Sequence, residues 1–407
     1  MPLPWFNRVL LSAVRKAAGA APVRLAMGVP RTDIATVPSG VPTIWIRDRS
    51  ALIALVRNPQ INFGDLYSDG RIEIEGDLVD VMERLYQVPP SFFANLYSRW
   101  LRVLDSNSLR GSRSNIHHHY DISNDFYKLW LDPEMVYTCA YFPEPTATLE
   151  EAQLAKMDLV CRKVWLRPGE TVVEAGCGWG SLALHMARRY GVKVKAFNIS
   201  TEQIAFARER AQREGLASRV EFIQDDYRNI TSRADAFVSV GMLEHVGKSH
   251  YTDMARTIWR TVGEEGRGFL HFIGRNRPRA MNAWIRRRIF PGAYPPCLRE
   301  VMEFLEPYDF SVLDVENLRR HYARTCECWL KAFESQFNTV AAQLSNRFAR
   351  MWRLYLAGST AAFRLGSLQL FQVVFAGKKC ASQPWNRSYL YQPEVEGQEQ
   401  ECVRAMS

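Results

Sequence analysis

Three features of the chain predict an α/β fold: a mostly parallel, doubly wound sheet preceded by a smaller α/β module. Past residue 170, short apolar strands alternate with helical stretches, the rhythm of a parallel sheet covered by helices on both faces. The first of these strands, Glu170-Thr-Val-Val-Glu-Ala, runs straight into a glycine-rich turn, Gly176-Cys-Gly-Trp-Gly180. The 407 residues, 47% of them hydrophobic, exceed one domain's worth and supply ample core.

In chain order, the apolar stretch around Val9-Leu10-Leu11 is short and is broken by Arg15-Lys16, so no signal peptide is expected. Phe6, Val9, Leu10, Ala13, Val14 and Ala17 follow a helical rhythm, with Arg8, Ser12 and Arg15 opposite. Such a helix either docks on its own domain or touches anionic lipid. Residues 43–85 read as a small α/β module. Pro42-Thr-Ile-Trp-Ile-Arg alternates like a strand, and a helix follows with Ser50 at its cap. Asp69-Gly-Arg-Ile-Glu-Ile-Glu-Gly-Asp gives turn, strand and turn, and Asp77 opens a further helix. The stretch from Asp105 to Asn115 is small, polar and basic, and reads as a linker. After the glycine-rich turn come a helix over 181–189, a strand over 192–197, a helix over 201–214 and strands over 220–224, 236–240 and 268–273. Ligands of such sheets sit at the C-terminal strand ends.

The net charge of +9 implies an anionic partner without choosing among nucleic acid, membrane and acidic substrate. The 8 cysteines show neither zinc spacing nor a disulfide framework, as in a reduced cytoplasmic protein, and no apolar run is long enough to span a bilayer.

The turn after Glu174 carries the first chemistry. Glycines let the backbone turn sharply and approach a ligand, and the preceding carboxylate suits an ammonium group. The G-x-G-x-G spacing is not G-x-G-x-x-G, which disfavours a dinucleotide. It resembles the first motif of class I S-adenosylmethionine (SAM) methyltransferases; the alternative is a tight turn with no ligand. The second strand ends in Asn198, where many such enzymes carry an acid for the ribose, and Gln203 lies one helical turn beyond Ser200. In Gln224-Asp-Asp-Tyr-Arg228, Asp226 is the choice to accept from an adenine amino group.

Further motifs make the resemblance specific. Met135-Val-Tyr-Thr-Cys-Ala-Tyr-Phe, the glycine turn, Val240-Gly-Met-Leu-Glu-His-Val-Gly and Leu270-His-Phe-Ile-Gly occur in one order. Together they resemble the cyclopropane-fatty-acyl-phospholipid synthase family, with mycolic acid cyclopropane synthases as close relatives. The likeness covers 117–375 and includes Ala362-Phe-Arg-Leu-Gly-Ser-Leu-Gln-Leu-Phe-Gln-Val-Val-Phe, which resembles the family's last strand pair. It implies a Rossmann-like class I SAM methyltransferase sheet with helical insertions over the active site, plus a small N-terminal α/β lipid-binding-like domain. The expected segments are that domain over 1–105, a linker over 106–116, the SAM-dependent catalytic domain over 117–385 and a tail over 386–407.

The resemblance implies that an alkene attacks the sulfonium methyl, and that a bound bicarbonate then takes a proton from the new methyl so that a ring closes. Such a site must be dry, rich in π faces and supplied with a weak base. The residues carried over are Cys139, Glu244, His271, Tyr322 and, through its backbone, Ile273. Glu244 would orient bicarbonate by accepting its proton, and His271, Tyr322 and Cys139 would donate to its oxygens. The cofactor set is Tyr137, Thr138, Glu174, Gly176, Cys177, Gly178, Trp179, Gly180, Asn198, Gln203, Asp226 and Tyr227. Singly, each catalytic candidate has a plainer role: Cys139 as a small buried hydrophobe, Glu244 as a helix cap, His271 as a core histidine and Tyr322 as packing.

His117-His-His119 lacks helix-face spacing for a metal, and no metal is expected. The basic runs Arg275-Asn-Arg-Pro-Arg and Arg286-Arg-Arg288 are either solvated or a lipid-headgroup surface, since they flank Trp284, Ile285, Ile289 and Phe290. Cys326-Glu-Cys328 is expected to be structural. The expected partners are unsaturated phospholipid acyl chains and, peripherally, an anionic membrane surface on its cytoplasmic face, with no nucleic acid; a homodimer is left open. Rival readings are a C-methyltransferase giving branched acyl chains, a small-molecule N-methyltransferase and a non-catalytic lipid-binding protein.

Overall fold

The protein is described by a computed structural model over residues 5–17, 21–30, 40–88 and 123–390. The expected linker, the His117-His-His119 triplet and residues 391–407 of the tail lie outside the described residues.

The N-terminal module comprises α1 (Trp5–Ala17), β1 (Arg24–Met27), β2 (Thr43–Ile46), α2 (Arg49–Arg57), α3 (Pro59–Ser68), β3 (Ile72–Glu75) and α4 (Leu78–Tyr86). Its sheet runs β1-β2-β3, with β1 parallel and β3 antiparallel to β2. The cap of α2 is Asp48, not Ser50: the Asp48 carboxylate accepts from Ala51 N at 2.9 Å and also from the Ser50 hydroxyl. Asp77 caps α4 as its sequence suggests, accepting from Asp80 N at 2.7 Å. Helix α1 docks on α2 through Leu11, Leu10 and Val14, while Val9, expected on the apolar face, is exposed with Trp5.

The larger part comprises α5 (Asn124–Lys128), α6 (Leu149–Lys163), β4 (Thr171–Ala175), α7 (Ser181–Tyr190), β5 (Lys193–Asn198), α8 (Thr201–Arg213), β6 (Val220–Gln224), β7 (Ala236–Val240), α9 (Leu243–Val246) and α10 (Tyr251–Val262). There follow β8 (Arg267–Gly274), α11 (Ala283–Arg288), α12 (Leu298–Leu305), β9 (Ser311–Asn317), α13 (Arg319–Ser335), α14 (Phe337–Gln343), α15 (Asn346–Arg364) and β10 (Gln369–Ala376). The sheet order is β6-β5-β4-β7-β8-β10-β9. Strands β6 to β8 pair in parallel, and β10 runs antiparallel to both of its neighbours. The chain winds outward from β4 to β6 and then crosses back to β7, so the switch point lies between β4 and β7, where ligands of such sheets bind. The segment from Ala362 to Phe375 is not a strand pair: it is the end of α15 followed by the single strand β10. The partner strand β9 is solvent-facing along much of its length and lacks an apolar run in sequence.

The two parts share one core. Leu52, Tyr67 and Met82 of the module belong to the same apolar cluster as Trp130, Trp284, Trp352 and Tyr322. The basic run 286–288 helps make this junction. Arg288 donates from Nε and Nη2 to the two carboxylate oxygens of Asp65, at 2.9 and 2.7 Å, and Trp284 Nε1 donates to the same carboxylate at 3.1 Å. Trp284 and Ile289 face inward, which removes them from the lipid surface their sequence suggested. From α15, Arg350 donates to the carbonyls of Tyr67 and Ile72. Gly64 makes the close approach possible, since a Cβ there would lie 2.3 Å from the Trp284 ring. Gly64→Ala is therefore expected to destabilise the protein by about 1–3 kcal/mol through overpacking; urea unfolding followed by tryptophan fluorescence reads this, and an unchanged midpoint would refute it.

Candidate active site

The ends of β4 and β5 build the donor half. Gly176, Gly178 and Gly180 all have positive φ (85°, 54° and 86°), which L side chains adopt only with strain. The turn is tied to β5, with Gly176 N and Cys177 N both donating to Phe197 O, at 2.9 and 3.1 Å. A Cβ on Gly176 would meet Met242 and one on Gly180 would meet Phe222, whereas one on Gly178 would meet nothing within 4 Å. Open space beside the middle glycine is what a ligand cradle requires. Asn198 donates to Gly178 O at 3.3 Å and to Gln203 Oε1 at 2.7 Å, so these two predicted residues brace the turn together. Trp179 is buried, donating from Nε1 to Asn124 at 2.7 Å and packing on Tyr127.

Glu174 is buried, and its Oε2 has no hydrogen-bond partner. Burial pushes its carboxyl up to about 8, against the easing charge of Lys156. Lys156, which the sequence did not single out, is 1% exposed and donates to Thr138 Oγ1 at 3.0 Å. Burial pushes its ammonium down to about 8, opposed by Asp132, Cys139 and Glu174. Its signal was available: Gln153, Lys156, Val160 and Lys163 recur along one stripe of α6, and all are buried. Gln153 donates to Thr138 O at 2.9 Å, and Asp132 accepts from the amides of Glu134 and Val136. These contacts fix the irregular segment carrying Tyr137, Thr138 and Cys139. Its Met135 has φ of 58°, a strained value for a side-chain-bearing residue.

The two adenine-side candidates follow β6. Both Asp226 oxygens are engaged by Arg228, whose Nε and Nη2 donate at 2.8 Å each. Tyr227 beside it keeps a buried hydroxyl without a partner.

The second half lies where β7 and β8 end. Glu244, on α9, is buried. Its Oε1 accepts from Ile273 N at 2.8 Å, and its Oε2 has no partner. The Ile273 amide thus holds the neighbouring carboxylate. Burial pushes Glu244 up to about 7, against the hydrogen bond from Ile273. His271, on β8, is 1% exposed, and burial, helped by the charges of Lys156 and Lys163, keeps it neutral. Across the β8–β10 pair, Gln372 Nε2 lies 3.2 Å from His271 Nδ1. An amide donor at Nδ1 places the imidazole proton on Nε2, which has no partner. Gln372 was missed, although a lone amide in the apolar run Leu-Phe-Gln-Val-Val-Phe marks it.

Cys139 is fully buried, and burial pushes its thiol up, so it stays protonated. Tyr322, on α13, is held protonated first by burial and then by the proximity of Cys326, Tyr355, Cys139 and Glu244. Its hydroxyl has no hydrogen-bond partner among the described residues, and its ring stacks on Phe363 at 4.3 Å. A wall of rings surrounds this region: Tyr127, Trp130, Tyr137, Trp329 and Trp352 pack at centroid separations of 5.2–6.2 Å, and Tyr137 meets Tyr355 hydroxyl to hydroxyl at 2.7 Å. Tyr322 therefore feels both the Glu244 carboxyl and the Cys139 thiol, and His271, with its free imidazole N–H, lies two residues along β8 from the Ile273 amide that holds Glu244.

A family model described as Mycolic acid cyclopropane synthetase matches residues 107–373, and one described as a domain of unknown function (DUF7884) matches residues 39–96. The chain is 35% identical over 366 residues to a probable fatty acid methyltransferase of Pseudomonas putida, covering 87% of this chain and 92% of that one. It is 34% identical over 352 residues to cyclopropane-fatty-acyl-phospholipid synthase of Escherichia coli strain K12, covering 85% and 91%. Among solved structures, mycolic acid cyclopropane synthase CmaA1, complexed with SAH and CTAB, superposes with a TM-score of 0.62 at 29% identity, over 67% of this chain and 99% of that one. The glycine cradle beside a buried, unpartnered Glu174 fits the same cofactor. The chain belongs to the mycolic acid and fatty-acyl-phospholipid cyclopropane synthase family, and is an S-adenosylmethionine-dependent methyltransferase.

Proposed function

We propose that the protein adds a methylene across a cis double bond of an unsaturated acyl chain in membrane phospholipid. The observation that carries this is the pair of buried polar atoms without partners, Glu244 Oε2 and His271 Nε2, together with Tyr322, which is close enough to Glu244 and Cys139 to feel both. Buried polar atoms left unpaired are destabilising by about 1–3 kcal/mol each, so such a cluster suits a small polar ligand. One acceptor with several neutral donors fits bicarbonate, which would supply a weak base. S-adenosylmethionine supplies an electrophilic methyl group. The alkene's π electrons would bond to that methyl while the S–CH3 electron pair stays on sulfur, releasing S-adenosylhomocysteine, and the resulting carbocation on the chain faces the rings of Tyr137, Trp329 and their neighbours, which stabilise positive charge without trapping it. Glu244 accepts a proton from the ligand it orients, while His271, Tyr322 and Cys139 donate to it, keeping a base beside the transferred methyl. A proton would pass from the methyl to that base, and the C–H electron pair would bond its carbon to the cationic carbon and close the ring.

A second reading, transfer giving a methyl-branched chain, is favoured by the Pseudomonas putida relative, named as a probable fatty acid methyltransferase. Expression in cells lacking cyclopropane lipids, followed by mass spectrometry and NMR of the fatty acids, separates the two. A cyclopropane ring supports the first reading; a methyl branch, or no change, overturns it.

We further propose that the enzyme works peripherally on the cytoplasmic face of the membrane. No helix among the described residues is long and apolar enough to cross one. The net charge of +9 and the exposed Trp5 and Val9 of the basic helix α1 support contact with anionic lipid. Binding to vesicles containing phosphatidylglycerol should weaken as salt rises; sedimentation unchanged by salt would count against a headgroup contribution.

A further inference from the structure

Strand alternation places His271, Ile273 and Arg275 on one face of the strand leaving the reaction centre, each about 6.6 Å beyond the last. Arg275 extends that line, bridging to Cys297 through its backbone, with its amide donating to Pro296 O at 2.8 Å. Its side chain is unusual. Nη1 donates to Ala280 O at 3.0 Å, Nε is buried with no partner, and no carboxylate among the described residues forms an ion pair with it. Burial, then the like charge of Arg279, pushes its guanidinium down to about 10, while the nearby Tyr294 and Tyr86 act the other way. Tyr294 is tied to the reaction centre, since its amide donates to Glu244 O at 2.7 Å. Tyr86 comes from α4 of the N-terminal module. The other arginine run differs at this point, because Arg288 is satisfied by Asp65.

A partly buried guanidinium with an enclosed, unpartnered Nε and no counter-charge is favoured by a ligand that supplies one. From this position we infer that Arg275, with Arg279, forms the subsite for the phosphodiester of the lipid substrate, near Tyr86 at the junction of catalytic sheet and N-terminal module. A phosphate there would accept two N–H donors of the guanidinium in parallel. The inference rests on the acyl-phospholipid reading above, and it gives the module a part in substrate selection.

The test compares monounsaturated phosphatidylglycerol with the diacylglycerol of the same chains, both in detergent micelles, for the wild type and Arg275→Met. The phospholipid-to-diacylglycerol ratio of kcat/KM should fall about ten- to a hundredfold in the variant, through KM, with partial recovery in Arg275→Lys. The Met variant should melt at or above the wild-type temperature, because a purely structural arginine would lower it; Arg279→Gln is a milder second variant. An unchanged ratio, or equal losses on both lipids, overturns the inference. So does calorimetric binding of inorganic phosphate that depends on Arg275 while the lipid ratio stays fixed, which would mark a free-phosphate site. Binding of saturated, unreactive phosphatidylglycerol, followed by tryptophan fluorescence, should weaken in Arg275→Met whatever the turnover. Arg275-dependent binding in an enzyme that converts neither lipid would sink the functional reading and keep this one; Arg275-independent binding would sink this one.

Discussion

Glu244→Gln is expected to lower turnover about a hundredfold or more while leaving S-adenosylmethionine affinity nearly intact. The amide can still accept from Ile273 N, so the local fold persists, but it presents no carboxylate to take a proton. Tyr322→Phe should act in the same direction, since it removes the phenol and keeps the ring stacked on Phe363. The pH profile gives an independent check. Because burial pushes Glu244 up to about 7, its carboxylate form is lost as pH falls below that value, and wild-type turnover should fall on the acid side of about 7. The Gln variant should lack this limb. Stability runs the other way. The folded pKa lies above the unfolded value of about 4.5, so burial favours the protonated form. The contribution of Glu244 is fully present below the unfolded value and is lost as pH rises through about 7. Urea unfolding at pH 5 and pH 8 should therefore show Gln gaining on Glu at the higher pH. Near-wild-type turnover in the Gln variant would remove Glu244 from the chemistry.

The glycine turn gives the second large effect, as a contrast between two positions. Gly180→Val should lose both fold stability and cofactor binding, because its Cβ would sit 2.5 Å from the Phe222 ring and 2.9 Å from Ala207 Cβ at a φ of 86°. The Cβ of Gly178→Val would meet nothing within 4 Å, so its stability loss should come chiefly from the strain of φ at 54°, about 1–2 kcal/mol. It should nonetheless weaken S-adenosylhomocysteine binding by more than about tenfold, because the new side chain enters the space left beside the turn. Calorimetry and thermal unfolding on the same preparations separate the two quantities. A Gly178 variant that binds as tightly as the wild type would show that the cofactor lies elsewhere.

The alternating elements from β4 to β8 were legible in the sequence because β4, β7 and β8 are buried on both faces, which leaves apolar runs bounded by turns, and β5 and β6 alternate buried with exposed residues. Strand β9 was not, since its exposed residues give no such run. The loss of apparent strand character around Ala362 has the opposite cause: residues 354–363 of α15 are buried almost all round, and such a segment has no period to read. Of the site, Glu174, Glu244 and His271 were found by motif, and Lys156 and Gln372 were not. The latter two act on other residues across long sequence separations, and only packing brings Lys156 to Thr138 or Gln372 to His271. Asp226 shows the converse limit. A carboxylate after the third strand of the doubly wound unit was legible, but its capture by a guanidinium two residues away was not.

The apolar cluster that runs from Leu52 through Trp284 and Trp352 to Tyr322 has a consequence for cutting the chain. A fragment beginning after the module would bare the Trp284 indole and the flank of α15 around Gly358, where Met82 and Tyr86 now lie. Patches of that kind make proteins self-associate. The two halves should melt in one cooperative step, and the SAM-binding half, produced alone, should aggregate.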